Sequence, residues 1–450
     1  IHTGGPGALF WMWISAIVGM ATKFFTCTLA IMYRGKDEDG EVQGGPMYVI
    51  TQGMSKKFHP LAYLFSFAGL LGCLSLFQAN QLTQIVQDQI YTPFGYFQNN
   101  PMFGQLLIGI LMAGVISAVI FGGIRRIGRV ASKLVPSMVA IYMLCGAIIL
   151  IRNFTMIDDI FLSIVRDAFT GDAVLGGSMG AVIVTGIRRA AFSNEAGIGT
   201  EAMAHGAAIT KEPVREGLVA MLGPMIDTLI VCSVTGFVIL SSGIWDARFQ
   251  IDKDVEILSN QSTILDIGKL NELEQPDSTW IGLKFNIKSP DNENEFVVKI
   301  DSILTPNSIY CTLIPGDIDS VIMKKGDWLK LKAEGITLTS MAFTKELYGF
   351  GGTILLIIVI VFSLTTMIGY SYYGSKCTAF LFGNKWKQSY RIFYTLSLIL
   401  ASVITIDIVI NFIDGMFALM AIPTMVSSII LAPKVMKAAR VYFTKLDVQE

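Results

Sequence analysis

A group of polar residues and glycines interrupts a long apolar stretch near the middle of the chain. Residues 174–210 exceed the length of one straight membrane crossing, and residues 192–200 form the polar centre. That centre contains Ser193, Asn194, Glu195, Gly197 and Gly199. Asn and Gly are poor helix formers, and backbone groups inside a bilayer need partners. We therefore predict that the helix unwinds near Asn194 and offers free N–H and C=O groups to a small polar solute or an ion.

A structural explanation of the same group stays open. The glycines could form a packing notch, with Glu195 hydrogen-bonded to neighbouring helices. About one turn earlier stand Arg188 and Arg189. Because a charge is costly in lipid, we expect both arginines to face an aqueous vestibule.

Three other apolar stretches carry polar side chains. Gln78 in the second stretch shares a helical face with Gln81 by i,i+3 spacing. In the seventh stretch, Thr365 and Thr366 offer hydroxyl oxygens that suit a hard cation such as sodium. Such hydroxyls more often bond their own backbone or a neighbouring helix. Asp227, in the sixth stretch, is either a functional carboxylate or the acceptor of a buried structural hydrogen bond.

The composition indicates the elements that must position these groups. The chain has 450 residues, of which 52% are hydrophobic and 15% charged, whereas soluble domains are about a quarter charged. Each apolar stretch is long enough for a membrane helix of ~20 residues. Nine stretches can be drawn, over residues 8–33, 61–90, 103–122, 131–151, 174–210, 214–242, 347–383, 388–406 and 408–432. We predict an all-α polytopic membrane protein.

The distribution of basic residues predicts the orientation in the membrane. One set of short loops carries most of the lysines and arginines, including Arg125, Arg126 and Lys211, and we group the basic C-terminus with this set. The opposite set offers Arg152 and Arg166. By the positive-inside rule the first set and the C-terminus are cytoplasmic. We expect a multi-pass membrane protein.

Residues 243–346 differ from their surroundings. They carry a net charge of −6, whereas the rest of the chain carries +5. Residues 280–287, 296–300 and 328–338 alternate apolar and polar side chains, which is typical of half-buried strands. We predict a small β-rich insert outside the membrane between core parts 1–242 and 347–450. It is either a stable appendage without a transport role or a site of regulation or partner binding.

Several classes of site find no support in the sequence. The six cysteines form no CxxC spacing, the three histidines are isolated, and no phosphate-binding loop, catalytic Ser/His/Asp signature or nucleic-acid motif is present. We therefore expect no enzyme activity, no bound cofactor and no nucleic-acid partner.

Several short strings resemble the alanine or glycine:cation symporter family, also called the sodium:alanine symporters. The most specific are Gly44-Gly45-Pro46-Met47-Tyr48 and Phe192-Ser193-Asn194-Glu195-Ala196-Gly197-Ile198-Gly199. Weaker matches are Gln78-Ala79-Asn80, Phe121-Gly122-Gly123-Ile124, Asp227-Thr228-Leu229-Ile230-Val231-Cys232, Ser371-Tyr372-Tyr373-Gly374 and Met420-Ala421-Ile422-Pro423. The resemblance leaves out residues 243–346, which look like an insertion.

The resemblance implies a LeuT-like fold of two five-helix inverted repeats, whose first and sixth helices are broken at the midplane. The fifth apolar stretch of this chain would correspond to the sixth helix of the family. The family's first broken helix, and the span before it, would precede Gly4. We therefore expect the sequence to be part of a longer protein.

The resemblance also implies roles for individual residues. Backbone groups around Ser193, Asn194, Ala196 and Gly197 would meet the charged ends of an amino acid. Phe192 would close over this substrate, and Gln78 would approach its carboxylate. Thr365 and Thr366 would bind sodium, and Arg189 would belong to an external gate. Tyr370 stands where the family commonly has Trp beside the substrate.

The function implied by the resemblance is sodium-coupled uptake of alanine or glycine by alternating access. The expected partners are the amino acid, sodium as coupling ion and the lipid bilayer, and the resemblance favours a prokaryotic inner membrane. Two alternatives remain at this point: a transporter of the same fold for another small solute, and a membrane enzyme, receptor or sensor that uses the outer insert.

Overall fold

The computed structural model describes residues 1, 4–36, 40, 42–92, 94–97, 99–170, 179–246, 248–258, 263–267, 284–289, 292–305, 308–313, 320–331 and 335–447. The helices are α1 (Gly7–Met32), α2 (Pro46–Gly53), α3 (His59–Gly72), α4 (Leu76–Val86), α5 (Pro101–Ile120), α6 (Gly123–Arg152), α7 (Ile157–Thr170), α8 (Met179–Asn194), α9 (Thr200–His205), α10 (Pro213–Pro224), α11 (Ser233–Ser242), α12 (Gly335–Glu346), α13 (Phe350–Phe382), α14 (Lys387–Ala401) and α15 (Ile406–Asp447). The strands are β1 (Gly35–Lys36), β2 (Val42–Gln43), β3 (Arg248–Gln250), β4 (Val255–Leu258), β5 (Thr263–Asp266), β6 (Lys284–Ser289), β7 (Asn292–Thr305), β8 (Ser308–Leu313), β9 (Ser320–Met323) and β10 (Trp328–Leu331).

Seven helical segments in the described part of the chain are long and apolar enough to cross a membrane. They are Gly7–Met32, Lys56–Tyr91, Pro101–Ile120, Arg126–Arg152, Pro213–Ser242, Phe350–Phe382 and Ile406–Lys445. Each corresponds to one of the nine predicted stretches. The remaining two predicted stretches contain α8 and α14, which have 16 and 15 residues. The mostly helical architecture is that of a polytopic membrane protein.

Two helices extend beyond the predicted apolar stretches. Helix α6 begins at Gly123 and includes Arg126 and Arg129, which the sequence pattern placed in a loop. Helix α15 has 42 residues and continues to Asp447. At 1.5 Å per residue this helix is about 63 Å long, roughly twice the thickness of the bilayer's hydrocarbon core. The C-terminal part of α15 therefore extends beyond the hydrocarbon core.

Two further spans contain irregular backbone that the sequence pattern does not predict. The second span bends between α3 and α4, where Ser75 has a left-handed φ of 52°. The hydroxyl of Tyr394 fills this bend and donates a hydrogen bond of 2.9 Å to Ser75 Oγ. In the sixth span, Met225–Cys232 is π-helical between α10 and α11. Such π-bulges occur often at functional sites.

The chain divides into two compact units. One consists of Ile1–Thr3, Gly146–Leu162 and Thr235–Leu356; the other consists of Gly4–Cys145, Ser163–Val234 and Ile357–Glu450. The second unit contains α1–α5, α8–α10, α14 and α15. The first unit contains strands β3–β10 and α12.

The strands of the first unit form a six-stranded antiparallel sheet with the order β3-β10-β6-β7-β8-β5, and β4 pairs separately with β9. The side chains of Phe249, Phe285 and Leu329 are fully buried in this unit. Strands β6 and β7 overlap two of the predicted segments, although residues 280–283 lie outside the described residues.

The third predicted strand, over residues 328–338, is wrong over residues 335–338, and residues 332–334 lie outside the described residues. Strand β10 ends at Leu331, and Leu338 belongs to helix α12. Leu338, Ala342 and Phe343 are buried on one face of α12. Their i, i+4, i+5 spacing is typical of one face of a helix. The alternation of apolar and polar residues that led to the strand prediction stops at residue 338.

In the second unit, small residues allow α1 to pack closely against α8 and α10. A Cβ atom at Gly186 of α8 would lie 2.6 Å from the carbonyl oxygen of Ala8. A Cβ at Gly217 of α10 would lie 2.1 Å from Thr28 Oγ1. Close backbone approach through small residues is the usual way in which membrane helices associate. Helix α1 is thereby held beside the C-terminal end of α8, where the predicted binding residues lie.

Candidate solute-binding site

The helix that should contain the binding residues is interrupted where the sequence predicts. Helix α8 ends at Asn194 and α9 begins at Thr200. Between them, Glu195, Gly197 and Gly199 have φ values of 57°, 84° and 100°, all in the left-handed region. This conformation suits glycine and is uncommon for a residue such as glutamate. We call residues 195–199 the break.

Asn194 holds the beginning of the break with its side chain. Its Oδ1 atom accepts a hydrogen bond of 3.0 Å from the amide of Ala196, and its Nδ2 atom donates one of 3.1 Å to Thr228 Oγ1. Asn194 is buried. One of the amides that the resemblance assigned to the substrate, that of Ala196, is therefore occupied by Asn194 within the protein.

Glu195 connects the break to helix α13. Its carboxylate accepts hydrogen bonds from the hydroxyl of Tyr370 and, at 2.5 Å, from Thr200 Oγ1. Tyr370 is buried, and its ring centroid is 5.5 Å from that of Tyr373. The structure thus brings together Glu195 and Tyr370, which the sequence pattern treats separately.

Glu201 is a buried carboxylate that the sequence analysis missed. Its Oε2 atom accepts a hydrogen bond of 3.1 Å from the amide of Gly199, and its Oε1 atom accepts one of 3.0 Å from Thr26 Oγ1. Lys23, one turn before Thr26 on α1, is also buried and interacts electrostatically with Glu201. One sequence signal could have revealed this pair of residues: Lys23 is a charged residue within an apolar stretch, and such residues are candidates for a functional role.

Helix α15 packs directly on the break. Thr424 Oγ1 donates a hydrogen bond of 3.0 Å to the carbonyl oxygen of Ile198. A Cβ atom at Gly199 would lie 2.5 Å from the same Oγ1 atom and 2.7 Å from Pro46 Cγ. Gly199 is therefore required by its positive φ and by the close approach of neighbouring elements.

A second polar cluster joins the end of α8 to the π-helical segment. The Ser193 hydroxyl donates to Asp227 Oδ2, and Thr228 Oγ1 is 3.2 Å from the same oxygen. The Sγ atom of Cys232 lies 3.4 Å from Ser193 Oγ. Asp227 accordingly accepts hydrogen bonds from two hydroxyls. The bond between Asp227 and Ser193 ties the π-helical segment to the residue just before Asn194.

Aromatic contacts bring α4 to the same place. The ring centroid of Phe192 lies 5.0 Å from that of Phe77 and 5.7 Å from that of Phe417. Gln78 follows Phe77 directly and is half-buried at the start of α4. The Arg189 guanidinium carbon is 6.0 Å from the Phe192 ring centroid. Phe192 thus contacts both Arg189, the predicted gate residue, and Phe77, which directly precedes Gln78.

The two hydroxyl residues predicted to bind sodium lie on α13, shortly before Tyr370. Thr365 Oγ1 is 2.9 Å from the carbonyl oxygens of both Val361 and Phe362, to which it donates. Thr366 is half-buried. Within the described ranges, the side chain of Tyr370 hydrogen-bonds to the break, whereas the side chains of Thr365 and Thr366 do not.

Arg188 forms an ion pair that the sequence pattern does not indicate. Its Nη1 atom is 3.6 Å from Asp414 Oδ2 on α15, and its side chain is 56% exposed. Exposed pairs of this kind stabilise a fold by about 1 kcal/mol or less. The pair nevertheless connects α8 and α15 near the break, and Asp414 was not among the predicted residues.

The sequence matches a known family over most of its length. The family described as the sodium:alanine symporter family matches residues 1–272 and 308–450. The chain belongs to this family. The unmatched stretch, residues 273–307, is narrower than residues 243–346, which the resemblance left out. Members of the sodium:alanine symporter family are transporters, so this protein is a transporter and not an enzyme.

Two known proteins align over nearly the whole chain, and a third aligns over about half of it. The sodium/alanine symporter AgcS of Methanococcus maripaludis is 30% identical over 442 residues, which are 98% of this chain and 78% of the relative. An uncharacterized transporter of Haemophilus influenzae is 28% identical over 457 residues, covering 100% of this chain and 79% of the relative. The probable sodium/glutamine symporter GlnT of Bacillus subtilis is 36% identical over 242 residues, covering 54% of this chain and 48% of the relative.

Proposed function

We propose that the protein is a symporter that uses sodium to carry a small neutral amino acid, alanine or glycine, into the cell. Membership of the sodium:alanine symporter family supports this function, as do the names of AgcS and GlnT. The observation that carries the proposal is the break at residues 195–199 in a membrane helix. Interrupted helices of this kind let backbone groups bind charged substrates inside a bilayer.

Backbone groups in and just before the break would bind both charged ends of an amino acid. Helix α8 ends with a hydrogen bond of 2.9 Å from the Glu195 amide to the Ala191 carbonyl, so the carbonyls of the last residues of α8 lack helical partners. These carbonyls, including those of Ser193 and Asn194, would accept from the substrate ammonium. The amide of Gly197 takes part in none of the hydrogen bonds of the described residues and would donate to the substrate carboxylate.

Neighbouring side chains would complete the pocket. Phe192 would cover the substrate, and Gln78 would approach its carboxylate from the start of α4, next to the Phe77–Phe192 ring contact. Tyr370 would act on the pocket through its hydrogen bond to Glu195. Arg189, near the Phe192 ring, would form part of the outer gate.

Sodium would bind at Thr365 and Thr366. The Thr365 hydroxyl donates its proton to backbone carbonyls, so the oxygen lone pairs remain available for a cation. Both residues precede Tyr370 on α13 by about one helical turn, so a bound ion and the break would be linked through one rigid helix. Binding of each ligand would then strengthen binding of the other, as coupling requires.

The proposed architecture is the LeuT-like inverted repeat, with core parts 1–242 and 347–450 and the insert 243–346 outside the membrane. The asymmetry of basic residues supports a cytoplasmic C-terminus in an inner membrane. Alternating access would then consist of movements of the helices around the α8–α9 break.

Uptake of labelled alanine into proteoliposomes that contain the full-length protein tests the function. We expect uptake to require an inward sodium gradient and to stop when potassium replaces sodium. Competition by unlabelled alanine, glycine and glutamine then defines the substrate. Equal uptake rates with sodium and with potassium would exclude sodium coupling, and inhibition by glutamine without inhibition by alanine or glycine would exclude the proposed substrate.

Substitutions test the placement of the site. Asn194→Ala leaves the Ala196 amide without its partner, and Thr366→Val removes a proposed sodium ligand. We expect the first to raise the KM for alanine and the second to raise the sodium concentration needed for half-maximal uptake. Asn80→Ala is the control, because Asn80 donates a hydrogen bond to the Ile404 carbonyl between α14 and α15, outside the break. Unchanged values in both site variants would contradict the assignment.

A further inference from the structure

A cavity of about 430 Å³ lies in the second unit, between the end of α1, the beginning of α10 and the C-terminal part of α15. Its lining includes Met32, Glu212, Val214, Lys434, Lys437 and Lys445. None of these residues belongs to the candidate solute-binding site. The combination of several lysines with apolar side chains distinguishes this cavity from an ordinary packing gap.

The cavity is positively charged. Three lysines and one glutamate line it, and no ion pair among the described residues joins Glu212 to any of the three lysines. Lys434 Nζ donates a hydrogen bond of 2.8 Å to the hydroxyl of Tyr33, which is neutral and does not reduce the charge. Uncompensated charges of one sign around a concave site concentrate ions of opposite sign there.

The three lysines lie on one face of α15. Lys434, Lys437, Val441 and Lys445 are separated by three, four and four residues, a spacing that places them in one stripe of an α-helix. The same stripe therefore presents cationic groups and one apolar side chain to the cavity. The beginning of α10 adds its positive helix end, with Pro213 at the first helical position.

The cavity is located where a membrane surface is expected. It begins just after residue 432, the predicted end of the last apolar stretch, and Tyr33 and Tyr442 lie beside it. Tyrosines are enriched at the level of lipid headgroups. Met32 and Val214 provide apolar walls toward the helices that cross the membrane. Basic pockets between membrane helices on the cytoplasmic side are suited to anionic lipid headgroups.

We propose that this cavity binds the headgroup of an anionic phospholipid. Lys437 and Lys445 bind the phosphate, Lys434 adds charge while Tyr33 holds its ammonium in place, and the apolar walls contact the upper part of the acyl chains. The bound lipid fixes the C-terminal part of α15 against α1 and α10. Because α15 also carries Thr424, which contacts the break, the lipid stabilises the helix that packs on the proposed transport site.

Native mass spectrometry of the full-length protein in detergent tests the proposal, with phosphatidylglycerol and phosphatidylethanolamine of identical acyl chains as probes. We expect phosphatidylglycerol to bind preferentially. The double variant Lys437→Gln/Lys445→Gln should bind phosphatidylglycerol about 30-fold more weakly, because each lysine near an anionic headgroup raises the affinity about 5- to 6-fold. The variant should keep the unfolding temperature of the unmodified protein without added lipid, since both side chains are exposed.

The matched control is Lys56→Gln/Lys57→Gln. It removes the same number of exposed charges from the same predicted side of the membrane, outside the cavity. We expect this control to bind phosphatidylglycerol within about twofold of the unmodified protein, because the effect of charge is local. Equal weakening in both double variants would overturn the proposal, as it would show a general charge effect.

Inorganic phosphate distinguishes a lipid site from a site for a free anion. We expect millimolar phosphate to displace little phosphatidylglycerol, because phosphate lacks the apolar contacts. Binding of phosphate as tight as that of phosphatidylglycerol, or equal binding of phosphatidylethanolamine, would overturn the proposal. These measurements need no transport activity, so their outcome is independent of the proposed symport.

Discussion

The break at residues 195–199 and the six-stranded sheet of the other unit both depart from helical backbone, but their backbone groups find partners in different ways. In the sheet, neighbouring strands such as β7 and β8 bond each other's N–H and C=O groups, although the register of this pair shifts between Ile300 and Ser302 and between Ile303 and Thr305. In the break, side chains bind several of these groups: Asn194 accepts from Ala196, Glu201 accepts from Gly199, and Thr424 donates to Ile198.

The proposed position of the break inside the membrane explains the difference. A bilayer offers no water to irregular backbone, so such backbone persists where protein groups bind it or where it lines a cavity. Stability of the break should therefore depend on a few polar side chains and glycines, whereas the sheet should depend on buried apolar area. Substitutions in the two regions can separate these contributions.

The largest effect is expected in the sheet. Phe249 is fully buried, and its ring centroid lies 5.4 Å from that of Phe285. Phe249→Ala should lower the free energy of unfolding of the sheet by about 3–5 kcal/mol, because it leaves a cavity. Limited proteolysis within residues 248–331 measures this change. Leu304→Ala, at a site 48% exposed, is the control and should change it by about 0.5 kcal/mol or less.

The same Phe249→Ala variant sharpens the comparison through its transport activity. If the sheet is a separate appendage, as one of the two interpretations of the insert holds, sodium-driven uptake of alanine should be retained while the sheet becomes protease-sensitive. Loss of uptake in a protein whose membrane helices remain protease-resistant would show that transport depends on the sheet.

A somewhat smaller effect is expected for Gly199→Ala in the break. A left-handed φ of 100° costs about 1–2 kcal/mol for a residue with a Cβ atom. Contacts at 2.5 Å from Thr424 Oγ1 and 2.7 Å from Pro46 Cγ add about 1–3 kcal/mol of overpacking. Thermal unfolding in detergent should show a total loss of about 3 kcal/mol.

Two other glycines separate the contributions at Gly199. Gly349 also has a positive φ of 85°, but a Cβ there meets no described atom within 4 Å, so Gly349→Ala should show the conformational cost alone. Gly415 lies in helix α15 with similarly open surroundings, and Gly415→Ala should be neutral or slightly stabilising. Equal losses at Gly199 and Gly349 would mean that close packing on the break contributes nothing.

Removing one hydroxyl next to the break should have a still smaller effect. Thr26→Val deletes the donor to Glu201 Oε1, and hydrogen bonds to charged groups contribute about 1.5–3 kcal/mol. We expect a loss of about 2 kcal/mol in thermal unfolding. The control is Thr378→Val, because the equally buried Thr378 hydroxyl bonds the Gly374 carbonyl of its own helix. A loss as large in the control would contradict a special role of Glu201.

The smallest effect concerns the chemical reactivity of Cys311 in strand β8. Burial, and to a smaller extent the nearby Asp301 carboxylate, raises the pKa of the Cys311 thiol to about 12. The reactive thiolate is therefore nearly absent at pH 8, and its fraction should grow as the pH rises toward 12. Peptide mapping after maleimide treatment at pH 8 should find Cys311 unlabelled in the folded protein and labelled after denaturation. Labelling of the folded protein at pH 8 would show that the sheet opens.

Composition and local residue types were sufficient for the main features of the membrane part. Long apolar stretches predict helices because a bilayer excludes unpaired backbone groups, and seven of the nine predicted stretches contain helical segments of spanning length. The position of the break was predictable because Asn194, Gly197 and Gly199 disfavour a helix at one place. Alternation indicated β6 and β7, but it overextended β10 into α12.

The partners of the polar groups were decided by tertiary structure. Thr26 and Glu201 are 175 residues apart, and Glu195 and Tyr370 are equally distant in sequence. Spacing along a chain specifies neighbours within one helix, whereas these bonds depend on how separate helices pack. Residue types therefore determined that the helix must break near Asn194, and helix packing decided which side chains hold the break together.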